Sequence, residues 1–230
     1  LEDRSPGLFK IYAMQQSTSS GNYTDTLLIK KDSSITSVKD LVGKKLGVNP
    51  GTFAKEMAKI MLEKNGVKNV DRVEFIQLTP NLHLQALQSS QIDAVIAYEP
   101  VTTQAITQGV AIVLKPHPFE DVMDPFPNVG FTISTKVVNE NTDLAKRIIR
   151  AIEKAIIYGR SNPEIANRSA SKYIKISEDI LNKLRYPEQV LGKEIDKKRV
   201  QEVADLYAQR GLIPQKINID DLFFIDESNQ

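Results

Sequence analysis

The sequence predicts an α/β fold in which mostly parallel sheets are flanked by helices. Three observations predict it. Along the first half, short apolar runs alternate with segments of helical periodicity, which is the pattern of βαβ units. The run Ala94-Val95-Ile96-Ala97 is apolar throughout, as a strand covered on both faces must be. Residues 46–63, LGVNPGTFAKEMAKIMLE, read as a strand, a tight turn at Asn49-Pro50-Gly51 and a helix.

Residues 8–14 give the first strand candidate through Leu8, Phe9, Ile11 and Tyr12. QQSTSSGN at 15–22 is a polar loop, either a surface connection or the lining of a cleft whose hydroxyls and N–H groups hold a polar ligand. Residues 23–30 form a strand centred on Leu27, Leu28 and Ile29, and Ser37 starts a capped helical turn. Thr52 is the expected N-cap of the next helix, because its hydroxyl can accept from a first-turn N–H. Phe53, Met57, Ile60 and Met61 mark that helix's buried face, and Asn65-Gly66 ends it. A strand at 73–78 precedes a helix opened by Thr79-Pro80-Asn81 and carrying Leu82, Leu84 and Leu87. The buried strand 92–97 runs straight into Tyr98-Glu99-Pro100, then a helix at 102–108 and a short strand at 112–114.

KPHPFEDVMDPFP at 115–127 holds four prolines and breaks every periodicity, so it is a connection. His117 within it reads as a surface residue. A strand at 130–134 follows, and the rest is helical. Residues 143–158 carry Leu144, Ile148, Ile152, Ala155 and Ile156 on one face; further helices lie at 163–174, 177–184 and 200–210, the last closed by Gly211. The tail 220–230 holds Leu222, Phe223 and Phe224, which are expected to dock on a surface. Charges along these helices alternate in sign, the mark of a solvated face.

The totals bound the function. In 230 residues, 41% are hydrophobic and 26% charged, ordinary for a globular chain of one large or two modest domains. A net charge of +1 gives no field for nucleic acid or an anionic membrane, so no nucleic-acid partner is expected. With no cysteine, disulfides, thiolate metal sites and cysteine nucleophiles are excluded; with His83 and His117 the only histidines, no metal centre is expected. No nucleotide-binding glycine motif is present, and no cofactor is expected. No stretch is apolar and long enough to span a bilayer. The opening LEDRSPGLFK has no signal-peptide character and no initiator methionine, so a mature, trimmed or fragmentary form is expected.

In open parallel sheets, ligands sit outside the carboxyl ends of the strands. Asn49–Thr52 and Tyr98–Glu99 both fall there. A helix N-terminus at a strand end favours an anion through free N–H groups and the dipole, the latter by about 0.3–1 kcal/mol. Each residue also has a purely structural reading. The glycine and cap serve the turn, Phe53 belongs to the core, and Glu99 makes a local ion pair or stands exposed.

Three segments carry a resemblance: TSVKDLVGKKLGVNPG at 36–51, IDAVIAYEP at 92–100, and Gly211-Leu212-Ile213-Pro214. In this order and spacing they resemble the solute-binding proteins of ABC importers, of the alkanesulfonate, nitrate, taurine and thiamine-precursor type. The resemblance implies a two-lobed, periplasmic-binding-protein-like fold with a ligand cleft between the lobes. It makes 38–128 the complete second lobe, and 1–37 with 129–230 the remainder of the first lobe with C-terminal helices. Family members begin with several strand–helix units before anything like residues 9–14, so the first lobe is expected to be incomplete and this shortened form to pair as a homodimer. Carried over by position, Asn49, Gly51, Thr52 and Phe53 present hydroxyl and N–H groups to an acidic or polar head, each charge-assisted bond being worth about 1.5–3 kcal/mol. Tyr98 and Glu99 match the aromatic–acid–proline end of a family strand, Glu99 facing an amine and Tyr98 an apolar part. Ser17, Thr18 and Ser19 match the hydroxyl-rich loop near the family's cleft.

The implied function is capture of a small polar or anionic organic solute for a membrane permease, with no enzyme activity. The implied location is periplasmic or otherwise extracytoplasmic, with a lipoprotein anchor as one form. Two alternatives share the architecture. One is an enzyme of the pyrimidine-forming or menaquinone-pathway type. The other is the effector-sensing domain of a transcription regulator, which an upstream helix-turn-helix would mark.

Overall fold

A computed structural model describes residues 7–18, 21–173 and 176–225. In chain order the strands and helices begin with β1 (Phe9–Thr18), β2 (Asp25–Lys30), β3 (Lys45–Val48), α1 (Thr52–Lys64), β4 (Glu74–Gln77), α2 (Pro80–Gln88) and β5 (Ala94–Tyr98). There follow α3 (Val101–Thr107), β6 (Ala111–Pro116), β7 (Phe126–Ser134), α4 (Thr135–Glu140), α5 (Thr142–Ser161) and α6 (Pro163–Ser171). The last are α7 (Glu178–Leu181), β8 (Glu188–Val190) and α8 (Lys197–Gln209). They form two compact units. One holds Ser19–Phe126 and Lys175–Tyr186; the other holds Leu1–Thr18, Pro127–Ile174 and Pro187–Gln230.

The first of these units is built on a five-stranded sheet of order β4-β3-β5-β2-β6. β3 is parallel to β4 and β5, whereas β2 is antiparallel to both β5 and β6. Four strands therefore run one way, as the expected mostly parallel sheet requires, and β2 alone opposes them, which makes the sheet mixed. Leu28, Val95 and Ala97 pack with Ala86 and Leu87 of α2 and with Val101 and Ala105 of α3 in one buried cluster. α1 buries Ala54, Met57, Ala58, Ile60, Met61 and Leu62, close to the expected face. Gly47 has a steric reason: a Cβ there would lie 2.8 Å from Ile92 Cδ1 and 3.1 Å from Val95 Cγ2.

The division of the chain differs from the expected 38–128 against 1–37 with 129–230. β2 is hydrogen-bonded along its length between β5 and β6, so residues 25–30 sit inside the five-stranded sheet. Residues 175–186, far along the chain, also pack with this unit. The long-range cause is side-chain and N–H bonding described below, which strand periodicity does not encode.

The other unit holds a three-stranded sheet of order β7-β1-β8. Tyr12, Ala13 and Ile133 from the sheet pack on Val138, Ala145, Ile149 and Ile156 of α4 and α5, with Leu191. Here two expectations are corrected. The backbone of β1 continues to Thr18, so the stretch read as a loop begins as strand. On α5 the buried face is Ala145, Ile149 and Ile156, while Leu144 and Ile148 are each 39% exposed. The helix carries two apolar stripes one residue apart, and packing selected the one beside Tyr12. The helices expected over 163–174 and 177–184 are shorter, and the second is a single turn. The expected docking of the tail is observed, with Phe224 N–H donating to Ile11 O at 2.9 Å. Among the described residues no helix is long and apolar enough to cross a membrane.

Candidate functional site

The carboxyl ends of β4, β3, β5 and β6, and the start of antiparallel β2, form one edge of the five-stranded sheet. Along it, in strand order, come Gln77, Asn49, Tyr98 with Glu99, Asp25 and His117. The register pairs Asp25 with Tyr98 and Thr26 with Pro116, which fixes the neighbours. Asn49–Thr52 and Tyr98–Glu99 are thus brought to one edge. Ser17 and Thr18 end β1 in the other unit, and Ser19 lies outside the described residues.

The β3–α1 turn differs in detail from the expected capping. Gly51, not Thr52, is the N-cap, with φ 111° and ψ 157° and no side-chain cap bond. That backbone conformation is open to glycine and strained for any side chain. Thr52 is the first helical residue and is exposed. Gln77, at the end of the neighbouring strand, supplies the missing acceptor: Gly51 N–H donates to its Oε1 at 2.8 Å. The later first-turn N–H groups of α1 have no intrahelical acceptor by geometry. Asn49 Oδ1 is buried and, among the described residues, accepts no hydrogen bond. Phe53 is half-buried and stacks on Phe126, ring centroids 6.4 Å apart and 14° between planes.

The β5–α3 turn is bonded to itself. Thr103 N–H donates to Glu99 Oε2 at 3.1 Å and Thr103 Oγ1–H to Oε1 at 3.0 Å. Arg185 N–H also donates to this carboxylate. Burial raises the Glu99 carboxyl above its ordinary range, while the Thr103 and Arg185 bonds and the Arg185 charge pull against that rise. Glu99 is therefore a structural clamp between α3 and the 175–186 segment. Burial, then the Glu99 charge, also raises the neighbouring Tyr186 hydroxyl. Tyr98 is half-buried, its ring tilted against Phe119 at 6.2 Å.

His117 corrects the surface reading outright, being 1% exposed, as is Asp25. Asp25 Oδ1 accepts from His117 Nδ1 at 3.0 Å, and Oδ2 from Phe119 N–H at 3.0 Å. Asp25 O accepts from His117 N–H at 3.2 Å. The proline-rich connection is thus bound back onto the head of β2. Tyr23 stacks on the His117 ring at 5.4 Å and 12°, and Arg185 Cζ lies 4.5 Å from the centre of the Tyr23 ring. Sequence reading missed Gln77, Asp25, Tyr23 and Arg185. One signal was available: Asp25 heads the otherwise apolar run of β2, and a buried carboxylate requires partners.

Among the described residues, Asn49 Oδ1, Thr102 Oγ1 and His117 Nε2 are buried at this edge without a hydrogen-bond partner, as are His83 Nδ1, Thr135 Oγ1 and Asn167 Oδ1 elsewhere. Buried polar groups of this kind are rare and point to a missing interaction. Among the described residues, no group of three or more His, Asp or Glu could hold a metal ion.

The sequence pattern described as NMT1/THI5-like matches residues 10–166. The chain belongs to the NMT1/THI5-like family. A Brucella abortus (strain 2308) protein that carries a binding-protein name is 33% identical to this family member over 143 residues, covering 61% of this chain and 44% of its own. A Bacillus subtilis (strain 168) protein named for binding aliphatic sulfonates is 26% identical over 204 residues, 85% of this chain and 59% of its own. The NMT1/THI5-like chain thus spans about half the length of these curated relatives. Among solved structures, the periplasmic aliphatic sulphonate-binding protein SsuA from Escherichia coli matches 100% of this chain and 74% of its own, with TM-score 0.76 and 19% identity. The desulfurization enzyme DSZB matches 97% and 78%, with TM-score 0.73 and 14% identity. At such identities the likeness shows a shared fold, here that of the periplasmic binding proteins.

Proposed function

We propose that this NMT1/THI5-like chain is the solute-capturing component of an ABC importer and that its solute is an aliphatic sulfonate. The supporting observation is the carboxyl edge of the five-stranded sheet, which carries the N-terminus of α1 and, among the described residues, a buried Thr102 hydroxyl and a buried Asn49 amide oxygen with no hydrogen-bond partner. A sulfonate offers three acceptor oxygens and needs N–H or O–H donors. Thr102 Oγ1–H, Thr52 Oγ1–H and the first-turn N–H groups of α1 are such donors. Asn49 supplies a donor or an acceptor according to which way its amide is turned. The relative named for sulfonate binding and the periplasmic place given in the name of SsuA support the same solute and an extracytoplasmic place of work, and a permease is the partner that an importer reading requires. Nitrate, taurine and thiamine precursors are the solutes to set against it.

Isothermal titration calorimetry of the chain with butanesulfonate, taurine and sodium nitrate tests the reading. Saturable single-site binding of butanesulfonate, weakened by Asn49→Ala, is the expected result. Absence of heat with butanesulfonate sinks it. The fold shared with DSZB favours an enzyme as the second reading. Incubation with an aromatic sulfinate and an assay for released sulfite decides that, because a binding protein turns over nothing.

A further inference from the structure

Resting on the sulfonate reading, we infer that Arg185 receives the anionic head of the solute and that Tyr23, His117 and Asp25 hold it in place for that role. Arg185 is exposed, yet fixed at both ends. Its N–H donates to the Glu99 carboxylate, and its guanidinium carbon lies 4.5 Å from the centre of the Tyr23 ring. That ring is stacked on His117, which Asp25 anchors at 3.0 Å, and both of these residues are 1% exposed. A buried carboxylate, an imidazole, a phenol ring and a guanidinium thus form one layered support running from the core to the surface. Cation–π contact positions a guanidinium while leaving its N–H donors outward.

Among the described residues no carboxylate makes a close ion pair with the Arg185 guanidinium, although its charge acts on the Glu99 carboxylate, whereas Lys115 and Lys59 of the unit are paired. Lys115 lies 3.2 Å from both Glu120 and Asp121, and Lys59 lies 2.7 Å from Glu56. Glu99, the nearby anion, is turned onto Thr103 and the Arg185 N–H. A guanidinium with its fork free matches two oxygens of a sulfonate with parallel N–H···O bonds, which a lysine ammonium cannot reproduce. Arg185 also supplies positive charge, beside the Glu99 carboxylate, on the sheet edge that carries the N-terminus of α1.

Calorimetry with butanesulfonate on four proteins tests this: wild type, Arg185→Ala, Arg185→Lys and Tyr23→Leu. Melting curves accompany each titration, and the Glu99 bond is kept in all, since it uses the backbone of residue 185. Arg185→Ala is expected to weaken binding at least tenfold with an unchanged melting temperature. Arg185→Lys, which keeps the charge and loses the fork, is expected to weaken it severalfold, and Tyr23→Leu likewise. Arg185→Ala that binds butanesulfonate as wild type does overturns the inference and leaves the importer reading standing. Wild type that takes no sulfonate overturns both.

Discussion

Two strand-to-helix turns lie at one edge of one sheet, and they treat their polar groups in opposite ways. The β5–α3 turn is closed: the Glu99 carboxylate collects Thr103 N–H, Thr103 Oγ1–H and Arg185 N–H. The β3–α1 turn is open: Gly51 caps without a side chain, Gln77 takes its N–H, and Asn49 Oδ1 is left buried and unpaired. The acidic residue, expected in sequence either to face an amine or to make a local ion pair, is held by Thr103 and the backbone of Arg185. The uncharged turn leaves Asn49 Oδ1 unbonded among the described residues, which is the group proposed above to meet the solute. An acidic residue beside proline at a strand end is thus a weak sign of a ligand when a threonine four residues on can hold it.

Removing the clamp should have the largest effect. Glu99→Ala leaves three donors without their acceptor and is expected to lower stability by about 2–3 kcal/mol in urea unfolding at pH 7. An effect below about 0.5 kcal/mol would show that the closed turn is closed in geometry only. The pH dependence sharpens the point. Because burial raises the Glu99 carboxyl in the folded chain, the folded state holds its proton more tightly than the unfolded state does. Relative to Glu99→Gln, wild type is then most stable below the ordinary glutamate pKa of about 4.3, and the difference shrinks as pH rises toward the raised folded value. A difference that grows with pH would mean that the Thr103 and Arg185 bonds outweigh burial.

Within the open turn, Gly51→Ala is expected to cost about 1–2 kcal/mol, since φ 111° is strained with a side chain present. Gln77→Ala, which frees one exposed N–H, is expected to cost about 0.5–1 kcal/mol by the same denaturation assay. Thr52→Ala and Asn49→Ala are expected to change stability by less than about 0.5 kcal/mol, because neither side chain serves as the cap and Asn49 Oδ1 has no bond to lose. If Asn49→Ala is instead destabilising, its amide is part of the fold and the two turns are alike.

Much of this layout was legible in the sequence. Alternating apolar runs gave the strand–helix order, Pro80 opened α2 as expected, and the placement of Asn49 and Glu99 after strands put them at a carboxyl edge. Strand direction was not legible. The run Leu27-Leu28-Ile29 has the same period whether parallel or antiparallel, so β2 could not be assigned to its sheet. Nor was the burial of His117, which depends on Asp25, 92 residues earlier, accepting its Nδ1–H. Two flanking prolines describe the backbone of that loop and say nothing about which carboxylate it meets. Arg185 was hidden for the same reason: its partners, Tyr23 and Glu99, lie far upstream, and local periodicity carries no record of them.

The discontinuous membership of residues 175–186 bears on biosynthesis. The strands of the five-stranded sheet are complete once the chain reaches Phe126, but the segment that binds Glu99 and Tyr23 ends at Tyr186. At translation speeds of about 5–20 residues per second, those intervening residues take roughly 3–12 s to appear. During that interval the nascent sheet carries the Glu99 carboxylate without Arg185, and the Tyr23 ring without the Arg185 guanidinium stacked on it. The sheet edge read here as the solute site is thus among the last parts of its unit to mature, after the other unit's long helix α5 has already been made.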